Sequence, residues 1–349
     1  MKLLILTQTI DKTDSQLGFF HGWVLSFAKR FEQIDIICLK KGIYDFPSNV
    51  NVYSLGKENI QGNWFTKKIL YVIRFYKLIW NLRRSYESVF VHMNQEYILL
   101  GGLFWRIFRK NMYMWRNHYD GSILTNIASF FCKKVFCTSR FSYTARFKKT
   151  VLMPVGVDES SCRLDESIEK IPNSILSLGR LDISKRLHIL IEALGVLESQ
   201  GIEFVATFVG GPSKTDSSYS ERLTKRVEEL GISDKVNFVG AFPNTETFRY
   251  YRSHSIFVNC SKSGMFDKTI FESVVCGCLT LVTSQDFKDL VGEEFIFPED
   301  DFITLSKKLK QFLTSSLEER SRLALDLNKC IKNNNLESLT KSLGEEITN

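Results

Sequence analysis

Ser261-Lys-Ser-Gly-Met-Phe-Asp-Lys-Thr-Ile-Phe-Glu272-Ser-Val-Val-Cys-Gly277 is the stretch on which the fold turns. The apolar run before it, Ser255-Ile-Phe-Val-Asn-Cys260, reads as a buried strand. The apolar-periodic segment Ile270 to Cys276, closed by Gly277, reads as a short helix. A polar, small-residue loop therefore sits at the carboxyl end of a strand, the place where open α/β sheets take ligands. Glu272 falls near the first turn of the helix. Two readings of that carboxylate stay open. It caps its own helix, or it accepts two ribose hydroxyls beside helix amides that attract phosphate.

The same alternation extends outward in both directions. Upstream, Ser174–Gly179, Phe204–Gly210 and Val236–Gly240 read as strands. The helices between them run from Leu187, with Leu190, Ile191, Leu194 and Leu197 on one face, and from Tyr219 to Leu230; a further helix runs from Asn244 to Tyr251. Downstream, Leu279–Val282 and Phe295–Phe297 read as strands, and residues 302–347 look helical. The loop Arg180-Leu-Asp-Ile-Ser-Lys185-Arg186 puts cations where a helix start prefers acids. An anion held between them and the helix accounts for this, and so does plain surface solvation.

The first half repeats the pattern. Strands are expected at Lys2–Thr7, Ile34–Cys38, Val50–Ser54, Ser88–Met93, Asn111–His118 and Lys134–Ser139, and from Thr150 into a turn at Pro154 and Gly156. Helices are expected at Phe20–Phe31, Asn63–Arg84 and Tyr97–Arg109. Two successive half-chains of this kind predict two doubly wound α/β domains. The polar stretch Glu159–Pro172 sets their limits: an N-terminal domain over 1–160, a linker over 161–173, a C-terminal domain over 174–330, and a helical tail over 331–349 crossing back to the first domain. His92 and His118 end expected strands on the crevice side, each as a structural or a functional histidine. Asn63–Arg84 is either a core helix with a basic solvated face or a helix resting on an anionic membrane, anchored by Trp64, Phe75, Tyr76 and Trp80.

Composition sets the bounds. At 349 residues the chain is too long for one core, and 44% hydrophobic with 24% charged residues describes a soluble globular protein. Residues 1–150 hold 23 Lys/Arg against 9 Asp/Glu, and the remainder 23 against 30, so two bodies with different partners are expected. No apolar run reaches the ~18 residues of a membrane span. Met1 to Thr7 reads as a strand rather than a signal peptide. Eight scattered cysteines without a CxxC pair point to free thiols in a reducing, cytoplasmic setting and to no structural metal. The basic charge comes with no nucleic-acid motif, so no nucleic-acid partner is expected.

Four features, in order, resemble retaining nucleotide-sugar glycosyltransferases of the two-Rossmann-domain (GT-B) type, family 4. They are Val151-x-x-Pro154-x-Gly156-Val157-Asp158, Gly179-Arg180-Leu-x-x-x-Lys185, Phe208-Val-Gly-Gly-Pro212 with Val236-x-Phe-Val-Gly240, and Ser261 through Glu272-Ser-x-x-x-Gly277. The resemblance implies an α/β GT-B fold, two Rossmann-like parallel-sheet domains facing a central cleft. It implies that Arg180 and Lys185 neutralise the diphosphate of a UDP- or GDP-linked donor, and that His118 lies beside the donor sugar. It makes Glu272 the ribose acceptor and brings Gly264, Phe266, Asp267, Lys268, Thr269 and Gly18 to the donor. It implies no cofactor and no metal beyond the nucleotide-sugar co-substrate. The implied activity is hexose transfer to a lipid-linked or polysaccharide acceptor, by a cytoplasmic protein at the inner face of the membrane.

The chain also departs from that pattern. Gly264 stands where the family usually carries a first glutamate, and Asp267-Lys268 replaces a glycine and an apolar residue. Asp267 is the candidate substitute for the missing glutamate. Phe19 takes the place of the second glycine after Gly18 and is expected to narrow that side of the pocket. Val155 replaces the usual asparagine. The alternatives are a nucleotide-sugar epimerase on the same fold and a non-catalytic nucleotide-sugar-binding or scaffold protein.

Overall fold

A computed structural model describes the chain apart from residues 163, 164, 166, 213–217, 265 and 266. The expected donor contact of Phe266 therefore lies outside the described residues. The chain divides into two compact units, Met1–Gly156 with Leu336–Asn349, and Val157–Asn335.

The first unit is built on seven strands: β1 (Lys2–Ile10), β2 (Gln33–Lys41), β3 (Val50–Ser54), β4 (Ser88–His92), β5 (Asn111–Trp115), β6 (Lys134–Cys137) and β7 (Thr150–Leu152). They lie in the order β3-β2-β1-β4-β5-β6-β7 and every pairing is parallel. Central strands of such a sheet are covered on both faces, which is why β4 is buried at all five positions. Helices α1 (Phe20–Ala28) and α13 (Leu336–Thr348) cover one face, over Leu3, Ile5, Ile34, Ile36 and Phe90. Helix α13 is tied down by Ser26 Oγ to Thr340 Oγ1 at 2.6 Å and by the Tyr113 hydroxyl donating to the Ile347 carbonyl at 3.1 Å. Helices α2 (Trp64–Asn81), α3 (Glu96–Ile107) and α4 (Ile123–Phe131) cover the other face, over Leu4, Leu6, Val89, Val91, Met112 and Met114.

His92 is a core residue of this unit. It is buried, its ring stacks on Phe20 at 4.1 Å, and Nδ1 lies 3.3 Å from Thr7 Oγ1. Burial pushes its pKa down to about 3. The unfolded chain then binds a proton that the native chain refuses between pH 6.5 and 3, so stability falls as pH drops through that window and is flat above it. Relative to His92→Gln, wild type should lose about 1.4 kcal/mol per pH unit there. Denaturant midpoints of both proteins at pH 7.5 and pH 5 check this; parallel losses would contradict it.

Among its described residues the second unit holds five parallel strands, β8 (Ser174–Leu178), β9 (Val205–Val209), β10 (Val236–Gly240), β11 (Ile256–Asn259) and β12 (Leu279–Val282), in the order β10-β9-β8-β11-β12. Among the described residues, seven helices of more than one turn accompany them: α6 (Leu187–Ser199), α7 (Ser218–Glu229), α8 (Asn244–Ser253), α9 (Lys268–Val275), α10 (Gln285–Val291), α11 (Phe302–Thr314) and α12 (Leu317–Cys330). The chain winds outward from β8 to β10 and then returns to place β11 on the other side of β8. The order of the strands therefore reverses between β8 and β11.

Several sequence expectations need correction. Described residues of the stretch read as a linker, 161–173, pack into the second unit: Cys162 is buried, Ile171 N donates to Ser253 O at 2.7 Å, and Lys170 Nζ donates to His254 O at 2.7 Å. The short helix α5 (Glu159–Cys162) opens that segment. Phe295–Phe297 is not a strand but the end of a 3-10 turn with one bridge from Ile296 to Val282. The strand expected to reach His118 stops at Trp115, because the Arg116 carbonyl is taken by the Thr144 hydroxyl at 2.8 Å. The cysteines are all free, seven of them buried and Cys330 exposed.

Candidate functional site

The site forms at the carboxyl ends of β8 and β11, on either side of the reversal in strand order, where parallel sheets leave a crevice. The loop after β8 carries Arg180 and Lys185, and the loop after β11 carries Ser261 to Asp267. Lys185 Nζ meets Asp267 Oδ2 at 2.5 Å, so an ion pair spans the crevice between the two loops. The same carboxylate oxygen accepts from Ser261 Oγ at 2.8 Å and from Asn259 Nδ2 at 3.1 Å. Burial alone would raise the Asp267 pKa; the Lys185 ammonium and the bonds from Lys185, Asn259 and Ser261 outweigh it and hold the carboxyl below its usual value. Asn259 Nδ2 also reaches Thr269 Oγ1 at 3.3 Å, and Asn259 Oδ1 accepts the Ser261 amide at 2.9 Å. Asn259, Ser261, Asp267 and Thr269 are thus tied to one another and to Lys185.

The three cations after β8 have three different roles. Arg180 is exposed and makes no ion pair with another described residue. Lys185 is mostly buried in its pair. Arg186, not distinguished by sequence reading, is buried at the left-handed start of α6 and paired with Glu299 at 3.0 Å and with Asp300. Its role is to tie α6 to the loop before α11. The acidic pair Glu299-Asp300 was the available signal for it.

Glu272 lies in the second turn of α9, not near the first as expected, because the helix begins at Lys268. The polar residues Asp267, Lys268 and Thr269 hide that start from the apolar period. Glu272 is 2% exposed. Its Oε2 is 3.4 Å from the Tyr251 hydroxyl, and Oε1 is 3.4 Å from Lys268 Nζ without a hydrogen bond of good geometry. A buried carboxylate oxygen held by an ion pair but by no hydrogen bond keeps its capacity to accept one. Lys268 also bears on Asp158, whose carboxylate accepts from Ser160 and Ser161 and is held below its usual pKa despite burial.

Gly264 is buried with φ +94°, a left-handed conformation that a glutamate side chain would strain. Glycine therefore suits the backbone at position 264 better than glutamate would. Asp267, its expected substitute, pairs through Oδ2 with Lys185.

His118 and Gly18 belong to the first unit. Nδ1 of His118 accepts the Asp120 amide at 2.9 Å, which puts the proton of the neutral ring on Nε2, and the ring stacks on Tyr119. Gly18 is needed because a Cβ there would come within 2.6 Å of the Asp14 carbonyl; its own amide already donates to that oxygen at 3.0 Å. Phe19, expected to narrow the pocket, packs one side of its ring 6.1 Å from Trp23 and 6.0 Å from His92.

Two cavities of the second unit lie near these elements. One of about 680 Å³ opens between Leu181, Gly210, Pro212, Phe238 and Gly240, beside the Arg180 loop. The other, about 740 Å³, lies between α9 and α12, lined by Val274, Gly277, Leu325 and Asn328.

The two parallel-sheet units define a GT-B fold. Over their full lengths the chain resembles the crystal structure of Anabaena Alr3699/HepE in complex with UDP and glucose, at a TM-score of 0.79 and 17% identity, covering 100% of this chain and 99% of that one. The family model for glycosyl transferases group 1 matches residues 163–326, the greater part of the second unit. Mannosylfructose-phosphate synthase of Agrobacterium fabrum is 32% identical over 112 residues, 31% of this chain and 25% of that protein. The putative colanic acid biosynthesis glycosyltransferase WcaL of Escherichia coli is 26% identical over 191 residues, 49% of this chain and 46% of its own. These matches span from a quarter to about half the length of the relatives.

Proposed function

We propose that this chain is a retaining, metal-independent glycosyltransferase of family 4 that moves a hexose from a UDP- or GDP-linked donor to a lipid-linked or polysaccharide acceptor, in the cytoplasm. The observation that carries the reading is the Lys185–Asp267 pair across the crevice between β8 and β11, with the exposed Arg180 on the same loop and the undonated Glu272 oxygen on the helix that follows. The anomeric carbon–oxygen bond of such a donor breaks to leave a diphosphate, and the charge that builds on it needs fixed cations. Arg180 and Lys185 supply them at the sheet position where ligands collect. Glu272 Oε1 takes the ribose hydroxyls, and His118, in the first unit, is assigned to the sugar. The group 1 match and the UDP and glucose held by the Anabaena neighbour agree with this reading. Attack on the same face as the departing phosphate, with that phosphate taking the acceptor proton, gives retention.

The test is incubation of the full chain with UDP- and GDP-hexoses, with and without lipid-phosphate and oligosaccharide acceptors, followed by NMR of the product anomer. Acceptor-dependent transfer with retained configuration is expected. A changed sugar formed from donor alone would point to an epimerase. Donor binding without turnover on any acceptor would point to a scaffold.

A further inference from the structure

The outer surface of the three-helix layer on the first unit is apolar where it should meet water. Phe65, Ile69, Ile73, Tyr76 and Trp80 recur at helical spacing along α2 and are exposed, on the face next to the one that buries Phe75 and Ile79. On α3 the exposed stripe is Leu100, Leu103 and Ile107, the last two 64% and 68% exposed. On α4 it is Ile123, Leu124, Ile127 and Phe130, with Ile123 at 76% and Phe130 at 67%. The stripes are neighbours. The Tyr76 hydroxyl donates to the Leu100 carbonyl at 2.8 Å, Trp80 lies 6.3 Å from Phe104, and the Arg106 guanidinium sits 5.5 Å over the Phe130 ring. This exceeds the scattered exposed apolar residues of an ordinary surface.

The charge interleaved with it has one sign. Asn63 to Lys110 contains nine Lys/Arg and two Asp/Glu. Lys68 lies 4.0 Å over the Trp64 ring and Arg83 4.2 Å over the Trp80 ring. Where α3 and α4 end, a cavity of about 420 Å³ is lined by Arg106, Arg109, Lys110, Lys133 and Phe130. It sits at the amino-terminal edge of the sheet, beside the start of β5, away from the strand ends at which parallel sheets bind substrates. Lys110 and Lys133 donate to the Tyr86 and Asn349 carbonyls. Arg106 and Phe130 belong both to the cavity and to the apolar stripes, so one surface offers apolar contact and a basic recess side by side.

We propose that this face docks on an anionic lipid bilayer, with the α2, α3 and α4 stripes among the acyl chains and a lipid phosphate in the recess between Arg106 and Arg109. Apolar stripes flanked by cations match a headgroup layer of opposite charge over an apolar interior. No helix among the described residues is long and apolar enough to cross a membrane, so the contact is with one leaflet. The proposal stands independently of which sugar is transferred.

Co-sedimentation of the full chain with phosphatidylcholine vesicles, alone or containing roughly one-third phosphatidylglycerol, tests it; partition onto the anionic vesicles should be at least about tenfold greater and fall with salt. Leu103→Ser with Ile107→Ser should cut that partition about tenfold at unchanged melting temperature. Arg106→Gln with Arg109→Asn should reduce it on anionic vesicles only. Equal binding to both vesicles, no binding, or unchanged binding by both variants would overturn the proposal. So would sedimentation velocity showing a dimer that the Leu103 and Ile107 substitutions abolish, since the face would then belong to a second copy.

Discussion

Lys185→Ala should reduce transfer by one to two decades, corresponding to the loss of about 1.5–3 kcal/mol of charge-assisted bonding to the leaving diphosphate. It should also destabilise the unliganded protein. Lys185 and Asp267 are 14% and 17% exposed, so removing the ammonium strands a mostly buried carboxylate on two neutral donors, Asn259 and Ser261. A loss of about 1.5–3 kcal/mol is expected there too. The double variant Lys185→Ala with Asp267→Asn separates the effects: most of the stability returns and the activity does not. Urea midpoints and initial rates on the three proteins check this. If the double variant regains activity, Lys185 serves only to neutralise Asp267, and its role toward the donor is refuted.

Glu272→Gln should weaken donor binding by roughly ten- to a hundredfold through the lost charge-assisted bonds to two hydroxyls. The substitution keeps the shape, so the buried site between Tyr251 and Lys268 stays filled and the fold should change little. The loss should appear equally with the nucleoside diphosphate and with the full nucleotide-sugar, because the ribose is common to both. It should nearly vanish for a 2′,3′-dideoxy nucleotide, which offers no diol. Calorimetric titration of wild type and variant with these ligands gives the comparison. A Glu272→Gln protein that binds all of them like wild type would make the carboxylate a structural partner of Lys268 alone.

How far the sequence carried these conclusions follows from what each signal depends on. Val50–Ser54 and Leu279–Val282 emerge with their expected limits because short apolar runs bounded by turn residues are local features. Helix α4 escaped because its pattern is inverted: the small residues Thr125, Ala128 and Ser129 face inward while Ile123, Leu124, Ile127 and Phe130 face out. Arg180 and Lys185 were legible as cations set against the preference of a helix start. The partner of Lys185 was not, since Asp267 lies 82 positions away and only the strand order brings the loops together. Gly264 read as a lost glutamate, whereas its positive φ makes it a requirement of the loop. Phe19 read as a pocket wall, and only three-dimensional packing reveals its place against Trp23 and His92.

The central claim is that a nucleoside diphosphate lies across the β8–β11 crevice on Arg180 and Lys185. It is tested most directly by titrating the full chain with the diphosphates and monophosphates of uridine, guanosine, adenosine and cytidine, on wild type and on Arg180→Ala. One diphosphate should bind wild type at least about tenfold more tightly than its monophosphate, and Arg180→Ala should cut that preference about tenfold, the worth of one charge-assisted contact. Absence of binding by every diphosphate, or a preference left unchanged in Arg180→Ala, would contradict it.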